Sequence, residues 1–183
     1  MKNIFRNLIL RILSKWRIRK GEKFSHNTRI VLRKIEKKEG LFIDEIRGNS
    51  LPKLDQARFR QQAKGDSLYL VAFIEKMPVG YIYINFSGTC KYHTSPVLQD
   101  LFVKSKLREQ NIGTQIIQEA ERILKSLNYK KLSLDVEVRN GWIQKLYEKQ
   151  GFIKKGGHHE QSWIEEDSGK RVEIKVVYLE KNI

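Results

Sequence analysis

The sequence is poor in cysteine: Cys90 is the only one in 183 residues. A single cysteine excludes an intramolecular disulfide and any cysteine-rich zinc site. It also suits a reducing compartment, so the sequence predicts a cytoplasmic protein. Both common glycine-rich nucleotide turns, G-x-G-x-x-G and G-x-x-x-x-G-K-[ST], are missing as well. Nicotinamide binding and nucleoside triphosphate hydrolysis therefore lack their usual phosphate-binding turn.

Acidic residues are also in the minority, because 36 Lys and Arg face 21 Asp and Glu and leave a net charge of +15. A field of that sign attracts nucleic acid, anionic lipid or anionic cofactors without specifying which. Hydrophobic residues at 40% and charged residues at 31% are typical of a folded globular protein. The length fits one domain with an appendage better than two independent domains.

Residues 1–24 form the predicted appendage, with eight basic residues against Glu22 alone. The stretch "IFRNLILRILSKW" has apolar residues at helical spacing, which predicts a basic amphipathic helix. Arg6 and Arg11 interrupt its apolar run, so it is too short to span a bilayer. Three interpretations stay open: a helix on an anionic membrane surface, which would make the protein peripheral to the membrane, an organelle-targeting segment, or a helix that packs on the domain or on a second copy in a homodimer.

The folded domain is predicted over residues 28–181, as a strand, one or two helices, three strands, a helix, a strand, a helix and two strands. The second early helix should run from Pro52 to Gly65 and bury Leu54, Ala57 and Phe59. Strands two and three should form a hairpin through a Lys-Met-Pro-Val turn. The helix after strand four should run from about Ile112 to Leu127.

The C-terminal third carries two further burial patterns. "KKLSLDVEV" alternates apolar residues with Ser133, Asp135 and Glu137, so the two carboxylates are expected at the surface. "NGWIQKLYEKQGF" predicts a short helix with Asn140 as its N-cap and Gly151 as its stop. Its predicted apolar stripe consists of Trp142, Ile143, Leu146 and Tyr147.

The start of the helix at Ile112 suits an anion, because backbone N–H groups and the helix dipole meet there. Gly113 leaves room for a ligand to approach, and Asn111 tolerates positive φ better than other non-glycine residues. We therefore expect Asn111 at or near positive φ.

Two motifs carry a family resemblance. Arg108 to Thr114, "REQNIGT", resembles the coenzyme A pyrophosphate loop of the GNAT N-acetyltransferase superfamily, which reads [RQ]-x-x-G-x-[GA]. Asn140 followed by "KLYEKQGF" is similar to that family's N-x(n)-L-Y-x-x-x-G-F ending. The first glycine of the family's loop is replaced here by Asn111. The resemblance covers about five sixths of the chain and leaves out residues 1–24.

The resemblance implies an α/β fold, of mixed α+β type, with a sheet of about seven strands flanked by helices and splayed between strands four and five. It implies acetyl-CoA in that cleft and direct acetyl transfer to an amine without an acyl-enzyme. The residues it assigns to coenzyme binding are Leu101, Phe102, Val103, Arg108, Glu109, Gln110, Asn111, Ile112, Gly113, Thr114 and Asn140.

Two side chains are candidates for proton transfer. Tyr147 matches the family's tyrosine that protonates the departing thiolate, with core packing as the alternative role. Asp100 is a candidate base, and water in the cleft or Glu137 are the alternatives. Adjacent histidines point apart on a strand, so His158 and His159 are not expected to form a metal site. With Trp163 they are candidates for the acceptor side.

The sequence thus predicts an N-acetyltransferase that acts on a primary amine of a small molecule, peptide or protein. The competing interpretation is a basic protein that binds nucleic acid or a membrane surface, with a GNAT-like but catalytically weak domain. No helix-turn-helix, zinc finger or RNA-binding aromatic motif is recognisable in the sequence, which speaks against nucleic acid.

Overall fold

A computed structural model describes residues 29–88, 93, 96–166 and 168–183. The predicted N-terminal helix and Cys90 lie outside these residues. The described part forms one seven-stranded sheet in the order β1-β2-β3-β4-β5-β7-β6, which confirms the predicted number of strands. The strands are β1 (Val31–Lys34), β2 (Ser67–Ile74), β3 (Met77–Asn85), β4 (Val97–Val103), β5 (Lys131–Glu137), β6 (Ile153–Ile164) and β7 (Arg171–Asn182).

Four α-helices cover the two faces of the sheet in the described part: α1 (Leu41–Arg47), α2 (Pro52–Lys64), α3 (Ile112–Ser126) and α4 (Gly141–Lys149). All neighbouring strands are antiparallel except β4 and β5, which are parallel. The α/β fold with a mixed sheet is therefore confirmed. None of the described helices is long and apolar enough to cross a membrane.

The β2–β3 hairpin corrects one prediction. The Lys-Met-Pro-Val turn is wrong, because Met77 already pairs with Ile74 and Pro78 pairs with Phe73. The turn is instead Glu75 and Lys76, with Glu75 at a φ of 54°. Pro78 lies outside the part of β3 that pairs with β4, where a missing backbone N–H is tolerated.

The two faces of the sheet have different cores. On one face α3 buries an aliphatic stripe at helical spacing, made of Ile112, Ile116, Ile117, Ala120 and Leu124. On the other face α1 and α2 cover an aromatic cluster that includes Phe42, Phe59, Tyr69, Tyr81 and Tyr83. The predicted start and end of α3 are confirmed to within one residue.

Helix α2 turns a polar face inward. Phe59 is buried as predicted, but Leu54 and Ala57 are only half-buried, while Asp55, Arg58 and Gln62 are buried.

Each polar side chain on this inward face has partners. Asp55 accepts a hydrogen bond from the Tyr69 hydroxyl at 2.9 Å and pairs with Arg47 at 2.6 Å. Gln62 donates to the carbonyl of Ile35 at 2.8 Å and accepts from the Tyr69 N–H at 2.7 Å. These contacts make burial of the polar groups tolerable.

The start of α2 is capped from a distant part of the chain. Pro52 is its first residue and has no N–H to satisfy. The backbone N–H groups of Lys53 and Leu54 donate to the carboxylate of Glu166, in the β6–β7 turn, at 2.8 and 3.0 Å. The N–H of Asp55 donates to the carbonyl of Leu51 at 3.0 Å. The four N-terminal positions of the helix are thus all accounted for.

Strands β4 and β5 pair at one point and then diverge. Val97 pairs with Ser133, and the Ser133 N–H donates to the Pro96 carbonyl at 2.8 Å. Beyond this point β4 carries a bulge, because Asp100 and Leu101 both lie opposite Ile82 of β3, and Asp100 has a φ of 46°. The predicted splay between strands four and five is confirmed.

Two burial predictions for the C-terminal third are wrong. The side chain of Asp135 is only 11% exposed, because side chains of β6 contact it, and that of Glu137 is only 17% exposed. On α4 only Ile143 and Tyr147 pack on the core, whereas Trp142 is 70% and Leu146 is 46% exposed. Only two of the four residues predicted for the stripe therefore pack on the core.

The buried Arg47–Asp55 pair generates a prediction about stability. We expect Asp55→Ala to lower the free energy of unfolding by about 3 kcal/mol or more, since it leaves a buried guanidinium without its carboxylate. Glu119→Ala removes the exposed pair with Arg122 and should change the free energy of unfolding by less than about 1 kcal/mol. Urea denaturation measures both. Equal effects would contradict a structural role for the α2 pair.

Candidate active site

A cleft of about 320 Å³ lies where β4 and β5 diverge. Its walls come from both strands, from α3 and from α4. The residues that line it and bear on chemistry are Gln99, Asp100, Leu101, Asp135, Glu137, Asn140, Tyr147 and Gln161. Four of them are among the residues that the sequence assigned to the site: Asp100, Leu101, Asn140 and Tyr147.

The loop that leads into α3 has the conformation expected of an anion-binding turn. Asn111 is in the left-handed region at φ 61° and ψ 9°, which confirms the prediction for this residue. Glu109 is also left-handed, at φ 64°, which the sequence did not indicate. The side chain of Asn111 makes no capping hydrogen bond to the helix. The first N–H groups of α3 are thus left without a side-chain cap from this residue.

Gly113 occupies the first turn of α3 without a packing reason for glycine. A Cβ built at this position would lie 3.8 Å from Val103 Cγ2 and 3.9 Å from Leu101 Cδ2, which are ordinary contacts. Its φ is not among the positive ones. Glycine here keeps the space beside the end of β4 open, and Leu101 also lines the cleft. The start of α3 therefore adjoins the cleft.

Arg108 is held against the end of β4. Its Nε donates to the carbonyl of Val103 at 3.2 Å, and its guanidinium lies 5.2 Å from the centre of the Phe102 ring. Phe102 in turn stacks on Tyr81, with ring centres 5.7 Å apart. Arg108 thus fixes the loop to β4 and places positive charge near the start of α3. Gln110 lies in the same loop, with its amide 3.4 Å from the Lys106 carbonyl.

Tyr147 faces the cleft from α4. Its ring packs edge-on against Phe152, with ring centres 5.6 Å apart. Tyr147 therefore both packs on the core and lines the cleft. Burial raises the pKa of the Tyr147 hydroxyl. The phenol therefore stays protonated at neutral pH and can donate its proton.

Asn140 precedes α4 as predicted, but its side chain does not cap the helix. Its Nδ2 donates instead to Glu137 Oε2 at 3.1 Å. Arg139 Nε lies 2.5 Å from the other oxygen of the same carboxylate. Glu137 therefore orients the amide of Asn140 at the edge of the cleft.

Asp100 lies on the β4 bulge and forms an ion pair with Arg58 of α2. Burial opposes the charge on Arg58, but the nearby Asp100 carboxylate and Tyr69 raise its pKa above the usual value. The guanidinium also lies 4.8 Å from the centre of the Tyr83 ring. This carboxylate is therefore held by the inward face of α2.

The sequence did not predict the group of side chains that meets at Asp135. Asp135 contacts the Nε2 atoms of His93 and His159 at 3.0 and 3.3 Å, and accepts a hydrogen bond from Gln161 Nε2 at 2.6 Å. His158 is exposed and, like Trp163, is not among the residues lining the cleft. No spacing rule links His93 to His159, since the fold brings them together from different strands and loops.

The sequence and structure were compared with known proteins. Residues 35–152 match the sequence model of the acetyltransferase (GNAT) family. No curated protein matches.

Among solved structures, the PaiA N-acetyltransferase from Thermoplasma acidophilum in complex with coenzyme A is similar, with 19% identity, a TM-score of 0.56, and coverage of 84% of this chain and 99% of that one. The spermidine/spermine N-acetyltransferase SpeG from Vibrio cholerae has 18% identity, a TM-score of 0.65, and coverage of 86% and 95%. The ribosomal-protein-alanine N-acetyltransferase from Brucella melitensis has 18% identity, a TM-score of 0.60, and coverage of 84% and 99%.

At these identities the solved structures establish the fold. The family match covers more than half of the chain and includes the loop before α3 and the elements β4, β5 and α4, whose residues line the cleft. The chain therefore belongs to the GNAT acetyltransferase family, whose members take the acetyl group from acetyl-CoA.

Proposed function

We propose that this protein transfers the acetyl group of acetyl-CoA directly to a primary amine, without an acyl-enzyme intermediate. One observation carries the proposal: the start of α3, which Asn111 does not cap, lies beside Leu101, and Leu101 lines the same cleft as Tyr147. An anion-binding helix start and a proton donor are the two features that a phosphate-bearing thioester donor requires.

The donor contributes an activated acetyl thioester, and the protein contributes orientation and proton transfer. The backbone N–H groups of residues 109–114 bind the pyrophosphate, and Arg108 adds positive charge. The backbone of Leu101, Phe102 and Val103 pairs with the pantetheine arm at the edge that β5 leaves open. Asn140, oriented by Glu137, hydrogen-bonds to the same arm.

Tyr147 acts as the general acid that protonates the leaving thiolate. The phenol is protonated at neutral pH, burial raises its pKa further above the ordinary value, and its place on α4 directs the ring toward the cleft. The packing of Phe152 against the ring restricts its motion. A positioned acid of this kind contributes typically about 10²-fold to 10⁴-fold in rate.

The proton that leaves the amine has two routes. Asp100 lines the cleft, and its carboxylate pairs with Arg58, so taking a proton from an amine would compete with this ion pair. Water in the cleft is the second route, and we favour it for that reason. Asp100 remains the candidate base among the side chains on β4.

An amine acceptor fits the charge of the cleft. A free primary amine is a cation at neutral pH, and three carboxylates line the cleft: Asp100 and Glu137, each already paired with an arginine, and Asp135. The similar Vibrio cholerae and Brucella melitensis proteins are named for spermidine/spermine and for a ribosomal protein's alanine. Polyamines and peptide N-termini are therefore the first acceptor classes to screen.

Acetyl-CoA should stabilise the full chain against heat. At about 100 times its dissociation constant a ligand adds about 2.7 kcal/mol to the free energy of unfolding, which is several degrees in Tm. A thermal melt with and without acetyl-CoA measures this. A thiol-release screen over polyamines, amino acids and peptides then identifies the acceptor. No shift in Tm at high excess of acetyl-CoA would overturn the proposal.

The pyrophosphate loop can be tested at two positions, Asn111 and Gly113. Gly113→Val should weaken acetyl-CoA binding by about tenfold or more, because its branched side chain fills the space beside the helix start. Asn111→Gly should preserve or tighten binding, since glycine adopts the observed left-handed φ without strain. Titration calorimetry gives both dissociation constants, and Gly113→Ala serves as the intermediate control. If neither constant changes, α3 does not bind the coenzyme.

Tyr147→Phe should lower kcat about 100-fold and leave the affinity for acetyl-CoA unchanged, because only the hydroxyl is lost. Tyr129→Phe is the matched control, since Tyr129 stacks on Phe86 and is not among the residues lining the cleft. Steady-state kinetics and calorimetry separate the two effects. Unchanged turnover in Tyr147→Phe would remove the acid role.

A further inference from the structure

Three side chains from separate parts of the chain converge beside the cleft. His93 lies in the loop before β4, Asp135 on β5 and His159 on β6. His93 Nε2 is 3.0 Å from Asp135 Oδ2, and His159 Nε2 is 3.3 Å from Asp135 Oδ1. One ligand atom from each residue lies within 4.8 Å of the other two. The cluster therefore brings two imidazole nitrogens and a carboxylate within reach of one ion.

We propose that His93, Asp135 and His159 bind a divalent transition metal ion, with Zn²⁺ as the best fit. Zinc bonds of about 2.0–2.2 Å to nitrogen and oxygen place tetrahedral ligands about 3.3 Å apart. The contacts of 3.0 Å to Oδ2 and 3.3 Å to Oδ1 of Asp135 are close to that separation, and one ligand atom of each residue lies within 4.8 Å of the other two, so small side-chain rotations bring all three to a common ion. Two imidazoles with one carboxylate suit zinc and its neighbours, whereas Mg²⁺ and Ca²⁺ prefer oxygen ligands.

Burial distinguishes this group from an incidental surface cluster. The side chain of His93 has no exposed surface, and those of Asp135 and His159 are each 11% exposed. A carboxylate removed from water is paired, hydrogen-bonded or bound to a metal. Here an imidazole nitrogen lies beside each of its two oxygens.

The surrounding residues orient the proposed ligands. Gln161 Nε2 donates to Asp135 Oδ2 at 2.6 Å, and the ring of Tyr178 lies 5.2 Å from that of His93. The strand register of β6 shifts between Lys155 and His158, just before the histidine pair. After this shift His159 points inward and His158 is exposed. Partners that fix ligand orientation typically raise metal affinity about 10-fold to 100-fold.

The cluster lies between two openings. Asp135 lines the 320 Å³ cleft, and His159 lines a second cavity of about 270 Å³ bordered by Lys155, Gly156, Gly157, His158 and Tyr178. An ion therefore has a path from solvent. Because Lys155 borders this second cavity, a cation must be retained by ligand bonds rather than by the local field.

A bound ion would join the loop before β4 to β5 and β6. Asp135 and Gln161 line the cleft, and Asp135 belongs to both the cleft and the cluster. Three protein ligands leave one position of a tetrahedral ion for water or another ligand. The bound ion would thus link these elements at the wall of the cleft. The metal-site proposal does not depend on whether the acetyl acceptor is an amine.

The test is metal binding by the untagged full chain after treatment with a chelator. We expect calorimetry with Zn²⁺ alone to give one ion per chain, a rise in Tm, and much weaker binding of Mg²⁺. His159→Gln and His93→Gln should each weaken Zn²⁺ binding by at least 100-fold, because loss of a ligand costs more than loss of an orienting partner. Co²⁺ in place of Zn²⁺ should show visible absorption of a low-coordinate ion, and this absorption should be absent in both variants.

His158→Gln is the matched control, since it removes the neighbouring exposed histidine. It should bind Zn²⁺ as the unaltered chain does. Circular dichroism and the Tm in chelator show that each variant is folded. The proposal fails if the unaltered chain binds Zn²⁺ no more tightly than His159→Gln, if His158→Gln loses as much affinity, or if Mg²⁺ binds equally well.

Discussion

The divergence of β4 from β5 is the constraint on which the rest of the site depends. Among the described residues, β4 and β5 pair only at Val97 and Ser133. Beyond that point the backbone N–H and C=O groups of the two strands do not hydrogen-bond to each other. The bulge at Asp100 and Leu101 turns β4 away and brings side chains from both strands to one opening. The start of α3 then lies beside Leu101, and Leu101 and Tyr147 line the same space. A local failure of strand pairing therefore creates the site.

The sheet can tolerate this opening because its two faces are held differently. The aliphatic face packs on α3, whose buried stripe needs only hydrophobic contact. The aromatic face packs on α1 and α2 and contains buried polar groups that require specific partners. Among these groups, Arg58 reaches from α2 to Asp100 on the bulge and so links the second core to the cleft.

The sequence predicted the features that depend on short spacings. The left-handed Asn111, the ends of α3 and the strand count all follow from local pattern, and the structure confirms them. The inward polar face of α2 was missed, although Asp55, Arg58 and Gln62 share one helical face, because polar residues at helical spacing usually face water. The partners of Asp135 could not be predicted, since His93 and His159 meet it only through the folded sheet.

The carboxylate of Glu166 at the start of α2 has a consequence for the order of folding. It satisfies the N–H groups of Lys53 and Leu54 from more than 110 residues further along the chain. Because synthesis begins at the N-terminus, the residues of α2 are made long before Glu166, which caps the helix. Contacts across such separations form late, because a long loop must close first. The first turn of α2 should thus be completed only when the last hairpin has joined the sheet.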